Sequence, residues 1–314
     1  MHNEHTQQII EKYFGTNIYI DFAPLGFPFD REMWPLENKF PADKKTKHIV
    51  FQDNLTWKDS TCLEIEWYQQ NIPDIHRYYF YVPHWKMPEF YPHLNMIYHN
   101  HVLHGNACAF RENKHLYLHY FENPDRSNDE KLCLMRQRRH HRILIYNYLI
   151  KEGFANLNIS LQQVGIEPKY PGIEYNNYWC SQTTDRDVNV HNFISLVKNY
   201  QQASTNYLVE TSYFDPYSFI TEKTIQPFLA KQAVVPLCQK NYCKHLQYYG
   251  FNVDYLDTAF DKAENDERFQ LALALNPNPI DPYPEYNQRA ALDLPNTIVQ
   301  KLDQELQLLV GTKR

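Results

Sequence analysis

Asn206-Tyr-Leu-Val-Glu-Thr211, Phe219-Ile-Thr-Glu-Lys-Thr-Ile-Gln-Pro227, Ala233-Val-Val-Pro-Leu237 and Tyr242-Cys-Lys-His-Leu-Gln-Tyr-Tyr-Gly250 are the four runs whose reading decides the fold. The first is apolar enough for a buried strand, Asn206–Glu210. A loop over Ser212–Ile220 follows. Thr221 then has the right side chain to cap a helix near Glu222–Lys231, because its oxygen can accept from the N–H groups that a first helical turn leaves unpaired. Ala233–Leu237 is again a strand, Tyr242–Tyr249 a helix closed by Gly250, and Phe251–Tyr255 a further strand. Strands alternating with helices need crossover connections, so the expectation is an α/β fold with a parallel sheet. Pro227 conflicts with this helix unless the helix starts later or kinks.

Upstream, short runs rich in Tyr, Ile, Val and Phe read as strands: Asn17–Phe22, His48–Gln52, Arg77–Val82, Asn95–Tyr98 and His115–Phe121. Cys62–Gln70 reads as a helix. Asp129–Gly153 reads as a long one, with Leu132, Met135, Ile143, Tyr146 and Leu149 at mixed three and four spacing. Four prolines in Asn276–Tyr286 argue against regular structure there. Leu294–Val310 puts Ile298, Leu302, Leu306 and Leu309 on one face of a last helix, which should pack on a domain. A chain of 314 residues suits two domains of roughly 150 residues each. The divisions expected are 1–155, 156–290 and a packing helix at 291–314.

An apolar fraction of 43% with 15% aromatic residues marks a chain that folds around a core. No stretch approaches the ~18 consecutive apolar residues of a spanning helix, and MHNEHTQQIIEKYF has neither a basic start nor an apolar run, so the chain is expected to be cytoplasmic, with no membrane span. The six cysteines form no CxxC pair, which fits reduced thiols. A net charge of −6 gives no overall attraction for nucleic acid, although Arg136-Gln-Arg-Arg-His-His-Arg142 is a local basic patch.

In an open α/β sheet, ligands sit beyond the carboxyl ends of the strands, where a helix start offers N–H groups and a positive dipole end to a phosphate. Glu222 and Lys223 fall in such a first turn. A carboxylate there can accept both ribose hydroxyls of a nucleotide while the ammonium meets its phosphates. The plainer alternative is an ordinary first-turn acid beside a solvated lysine.

Leu208-Val-Glu-Thr211, Phe219-Ile-Thr-Glu-Lys-Thr-Ile-Gln-Pro227, Ala233-Val-Val-Pro236 and Leu246–Phe251 together resemble the donor-binding half of α-1,3-fucosyltransferase-like enzymes and related bacterial and phage glycosyltransferases. The Phe219-Ile-Thr-Glu-Lys223 block is the most recognisable part, and the likeness extends over about residues 130–260. It implies a GT-B-like architecture, two Rossmann-type domains facing across a cleft, with 1–155 as the acceptor side and 156–290 as the nucleotide-sugar domain. It implies that Glu222 contacts the ribose and Lys223 the diphosphate. By the same resemblance Arg142, supported by Arg136 or Arg139, would neutralise charge on the leaving nucleotide, and Thr221 and Glu210 are counted with this donor set. No cofactor or obligatory metal is implied. The likeness tilts the outcome toward inversion and the donor toward a guanine nucleotide. Lys231-Gln232 departs from the family, which has a glycine after the helix.

An inverting transfer also needs a general base in the facing domain, for which Asp21 and Asp53 are the candidates, with Glu64 and Glu66 behind them; each of these has a plainer reading as a cap or surface acid. The expected acceptor is a hydroxyl of a glycan or cell-surface precursor. A variant acts on hydroxymethylated bases in DNA, and a reading from another class is a non-catalytic nucleotide-binding scaffold. Asp185-Arg-Asp187 spells a metal motif but sits in a polar loop. His93, His99, His101 and His104 invite a metallonuclease reading, and alternation puts His99 and His101 on one strand face. Cys238, Cys243 and His245 have loose ligand spacing, with a core thiol as the default for Cys238.

Overall fold

Ile18–Phe22 (β1), Lys47–Phe51 (β2), Tyr78–Val82 (β3) and Asn95–Tyr98 (β4) are rich in β-branched and aromatic residues, which suit a pleated, packed surface. They pair in parallel in the order β1-β2-β3-β4, with Ile20 opposite Ile49 and Phe80 opposite Met96. The structure is a computed structural model that describes residues 4–15, 18–22, 47–51, 78–82, 85–126, 130–135, 140–152, 157–161, 186–210, 218–275, 277 and 283–311. A second parallel sheet is formed by Glu130–Met135 (β5), Leu157–Leu161 (β6), Ala203–Leu208 (β7) and Ala233–Pro236 (β8), in the order β6-β5-β7-β8. The helices among the described residues are α1 (Glu4–Phe14), α2 (Met87–Phe90), α3 (His101–Glu112), α4 (His140–Glu152), α5 (Arg186–Ser195), α6 (Val197–Gln202), α7 (Glu222–Leu229), α8 (Tyr242–Tyr248), α9 (Asn265–Ala274) and α10 (Tyr283–Gly311). The fold is mixed α/β with parallel sheets.

The chain divides into two units, Met1–Val102 with Asn296–Arg314, and Leu103–Pro295. In the first unit, Ile10 and Phe14 of α1 form a core with Tyr81, Ile97, Leu302 and Leu306. Lys12 and Tyr13 fasten α1 to α10 through the Asp303 carboxylate, at 2.8 and 3.0 Å. β5 lies in register between β6 and β7, so the strand and the helix after it belong with the second sheet.

Some expectations for single elements need correction. The long helix over 129–153 is a strand followed by a helix. Leu132, Cys133 and Met135 are fully buried in a strand paired on both sides, and such a strand shows an apolar run that helical spacing also fits. His115–Phe121 forms two short 3-10 turns, Lys114–Leu116 and Leu118–Phe121. Its buried residues, Tyr117 and Phe121, are four apart, not alternating; both rings meet Phe193, and the Tyr117 hydroxyl donates to the Phe110 carbonyl at 2.6 Å.

Phe251–Tyr255 is irregular. The Tyr255 hydroxyl accepts from the Val234 N–H at 3.0 Å and reaches the Val234 carbonyl at 3.3 Å, which fills the edge of β8 where a further strand would pair. The Asn252 N–H donates to the Asn287 side chain at 2.7 Å, and Phe251 stacks on Phe228 with ring centres 4.4 Å apart. The proline-rich segment yields to helix at Tyr283, because Pro284 falls in the first turn, where no backbone donor is needed. Helix Cys62–Gln70 lies outside the described residues.

Candidate functional site

In the second sheet, β5 connects through α4 to β6 on one side, while β7 connects through α7 to β8 on the other. Connections that leave neighbouring strands in opposite directions open a crevice at the strand carboxyl ends, the usual ligand position in such sheets. Two helix starts meet there. From α4, the Arg142 guanidinium donates to the Glu210 carbonyl at 3.2 Å, and His141 Nε2 lies 3.2 Å from the same oxygen. Glu210 stands two residues past β7.

The Glu210 side chain is fully buried and is committed to the protein. Its Oε1 accepts from the Thr221 N–H at 2.9 Å, the Thr224 hydroxyl at 2.7 Å and the Tyr242 hydroxyl at 3.0 Å. Its Oε2 accepts from the Thr221 hydroxyl at 2.7 Å. A buried carboxylate is tolerable when donors surround it in this way. Burial, and next the Glu210 charge, push the Tyr242 phenol well above its ordinary pKa.

Thr221 caps α7 as expected, with extended backbone and its oxygen accepting from the Lys223 N–H at 3.3 Å. A further early donor is also used: the Thr224 N–H bonds the Thr221 carbonyl at 3.2 Å. The Lys223 and Thr224 N–H groups of this helix start are therefore bonded within the turn. Cationic character at this turn comes from the Lys223 ammonium and the helix dipole. Lys223 Nζ lies 3.2 Å from Glu222 Oε1, and the two side chains keep 25% and 21% of their surface exposed, so this pair alone of the donor set reaches solvent among the described residues. Burial works against ionisation of Glu222, but Lys223, the backbone and Thr221 together hold its carboxyl below the usual range.

Pro227 sits inside α7, at the cost of a bond to the Lys223 carbonyl. The helix then closes in a Schellman turn. Lys231 takes φ +57 where glycine is usual, its N–H bonds the Phe228 carbonyl at 3.0 Å, and the Gln232 N–H bonds the Pro227 carbonyl at 3.0 Å. Arg126 compensates the strain by donating to the Lys231 and Ala230 carbonyls, at 2.6 and 2.5 Å. The missing glycine thus leaves the turn geometry intact.

The next β-α turn runs alongside. The Leu237 N–H and the Cys238 thiol both reach the Leu208 carbonyl, at 2.8 and 3.2 Å. Asp261, buried, accepts from the Cys243 N–H at 3.1 Å, and Arg268 donates to the Cys238 carbonyl at 3.1 Å. Burial raises the Cys238 and Cys243 thiols well above the ordinary value, as for core thiols. His245 Nδ1 lies 2.5 Å from the Ser218 hydroxyl. Gln239 is 1% exposed, and among the described residues neither of its amide atoms meets a partner.

Of the expected site residues, the structure brings Arg142, Glu210, Thr221, Glu222 and Lys223 together. Glu210 and Arg142 are both buried and hydrogen-bonded to protein groups. Arg136, Arg139, Asp53, Glu64 and Glu66 lie outside the described residues, as does Asp185, while Asp187 falls in α5 and not in a loop. Asp21 is in β1, near its carboxyl end. His99 follows the end of β4 and His101 begins α3, so the two share no strand face. Among the described residues no group of three or more His, Cys, Asp or Glu is arranged to hold a metal ion, and no helix is long and apolar enough to cross a membrane. Thr224 and Tyr242 were missed by the sequence reading. Tyr242 is 32 residues from Glu210, and no local pattern links them. No family model, curated protein or solved structure matches this chain.

Proposed function

We propose that the chain is a nucleotide-sugar-dependent glycosyltransferase whose donor site is the crevice at the carboxyl ends of β5 and β7. One observation carries this reading: a partly exposed acid–base pair, Glu222 and Lys223, on the first turn of a helix leaving the switch point, with the buried Arg142 cation behind it. A carboxylate and an ammonium on one turn suit the two ends of a nucleoside diphosphate, ribose hydroxyls and phosphates. The likeness of Phe219–Lys223 to fucosyltransferase-like enzymes supports the same reading.

In the proposed reaction the bond between the sugar C1 and the diphosphate oxygen breaks as the acceptor oxygen bonds C1. The electron pair leaves with the nucleoside diphosphate, where Lys223 and the charge of Arg142 stabilise it. The acceptor proton goes to a carboxylate, Asp21 or Asp53. The GT-B arrangement, an inverting and metal-independent course and a glycan-type acceptor belong to the same proposal. Incubation with guanosine-, uridine- and adenosine-diphosphate sugars tests it: release of one nucleoside diphosphate, stimulated by an acceptor and lost in Lys223→Ala, is expected. No release from any of them by folded protein would overturn it.

A further inference from the structure

We propose that Thr224 and Tyr242 act with Glu210 as a positioning set for the nucleotide site, Tyr242 reaching from the following β-α turn to fix the first turn of α7. The inference rests on the nucleotide-site reading.

The position of Glu222 and Lys223 depends on how the start of α7 is held. Lys223 and Thr224 turn their N–H groups to Thr221, and Thr221 in turn donates both its N–H and its hydroxyl to Glu210, 11 residues before it. The location of the first turn is therefore set by where the Glu210 carboxylate sits. That carboxylate is held by more than its own strand. Thr224 and Tyr242 both donate to Oε1, and their hydroxyl oxygens lie 2.5 Å apart, so the three groups form a closed triangle. Tyr242 is the first residue of α8, which follows β8, so the triangle ties the turn after β7 to the turn after β8.

Glu210, Thr224 and Tyr242 are each fully buried, so none touches a ligand. Their effect must pass through Lys223 and Glu222. Without the Tyr242 hydroxyl, Oε1 loses one of its donors. The carboxylate can then settle elsewhere, and Thr221 moves with it.

The test measures dissociation constants of guanosine, uridine and adenosine diphosphates by calorimetry for wild type, Tyr242→Phe, Thr224→Val and Thr224→Ser, with urea unfolding run beside it. Tyr242→Phe and Lys223→Ala are also combined. Tyr242→Phe and Thr224→Val should each weaken the preferred nucleotide by about 3- to 10-fold, the worth of roughly one hydrogen bond, while Thr224→Ser binds like wild type. In the Lys223→Ala background Tyr242→Phe should add nothing, because groups acting through one another are not additive. A merely structural role would lower stability and leave affinity alone. If Tyr242→Phe binds nucleotide like wild type while Lys223→Ala does not, the positioning set falls and the nucleotide site stands; an additive loss in the double variant also overturns it. If wild type binds none of the three, both fall. Should Thr224→Val fail to fold, Tyr242→Phe, which removes only a hydroxyl, decides alone.

Discussion

The two sheets share their parallel sense and differ in strand order. In the first, β1 to β4 follow one another in sequence, so each described crossover steps in the same direction and none turns back. In the second, β5 sends its connection toward β6, while β7 and β8 lie on its other side. Only the second order opens a crevice at strand carboxyl ends. The buried charges follow the same division: among the described residues, the buried Arg142, Glu210, Asp261 and Arg268 all belong to the second unit, whereas the first gathers Ile10, Phe14, Tyr81, Ile97, Leu302 and Leu306. Burying a charge is costly unless it is bonded, so these groups mark where the fold has committed itself to electrostatic work. Nucleotide binding in the second unit should therefore be separable from the packing of the first.

Leu302→Ala tests that separation with the largest effect. It empties a buried position in the first core and should cost roughly 2–5 kcal/mol in urea unfolding, with nucleotide affinity of the folded protein unchanged. A loss of affinity in folded Leu302→Ala would break the comparison.

Asp261 sharpens it next. Burial, acting against bonds from the Cys243, Lys244 and Tyr242 N–H groups and against the Arg268 charge, pushes this carboxyl from the ordinary 3.8 up to about 6. The folded chain therefore keeps a proton that the unfolded chain releases, and stability from this group falls as pH rises between about 4 and about 6. Asp261→Asn should remove that fall, on the order of 3 kcal/mol at most. Glu222, whose carboxyl is held low, acts in the opposite sense but is common to both proteins and cancels in the difference. Urea unfolding of both proteins from pH 4 to 7 reads it, and parallel curves would contradict it.

The smallest expected change is a gain. Gln239→Met replaces a buried amide that has no partner among the described residues with an apolar chain of similar length. It should raise stability by about 1 kcal/mol. A clear loss in the same unfolding experiment would show that the amide is satisfied after all.

Much of this arrangement could be read from short-range pattern. The Tyr, Ile and Val runs marked β1 to β4, and Thr221 before Glu222 marked the start of α7, because each signal lies within a few residues. The failures share a different cause. β5 reads as part of a helix because a strand buried on both faces loses its alternation. Tyr255 reads as strand because sequence does not show that a side chain can occupy a sheet edge. Lys231 in a left-handed turn carries no glycine to announce it and depends on Arg126, 105 residues away. In the candidate site, the place of Glu222 and Lys223 on a first helical turn is legible from the block that contains them. The role of Glu210 is not, since its partners Thr224 and Tyr242 come from two separate turns.

The most direct test of the proposed nucleotide site is thermal unfolding with a panel of nucleoside diphosphates and nucleotide sugars, on wild type and Lys223→Ala. A ligand that binds the folded state alone raises the melting temperature according to its concentration over its dissociation constant. The account predicts that one nucleotide stabilises wild type and fails to stabilise Lys223→Ala, which also names the donor base. If no nucleotide shifts wild type, or if the shift survives in Lys223→Ala, the crevice between β5 and β7 is not a nucleotide site held by Lys223.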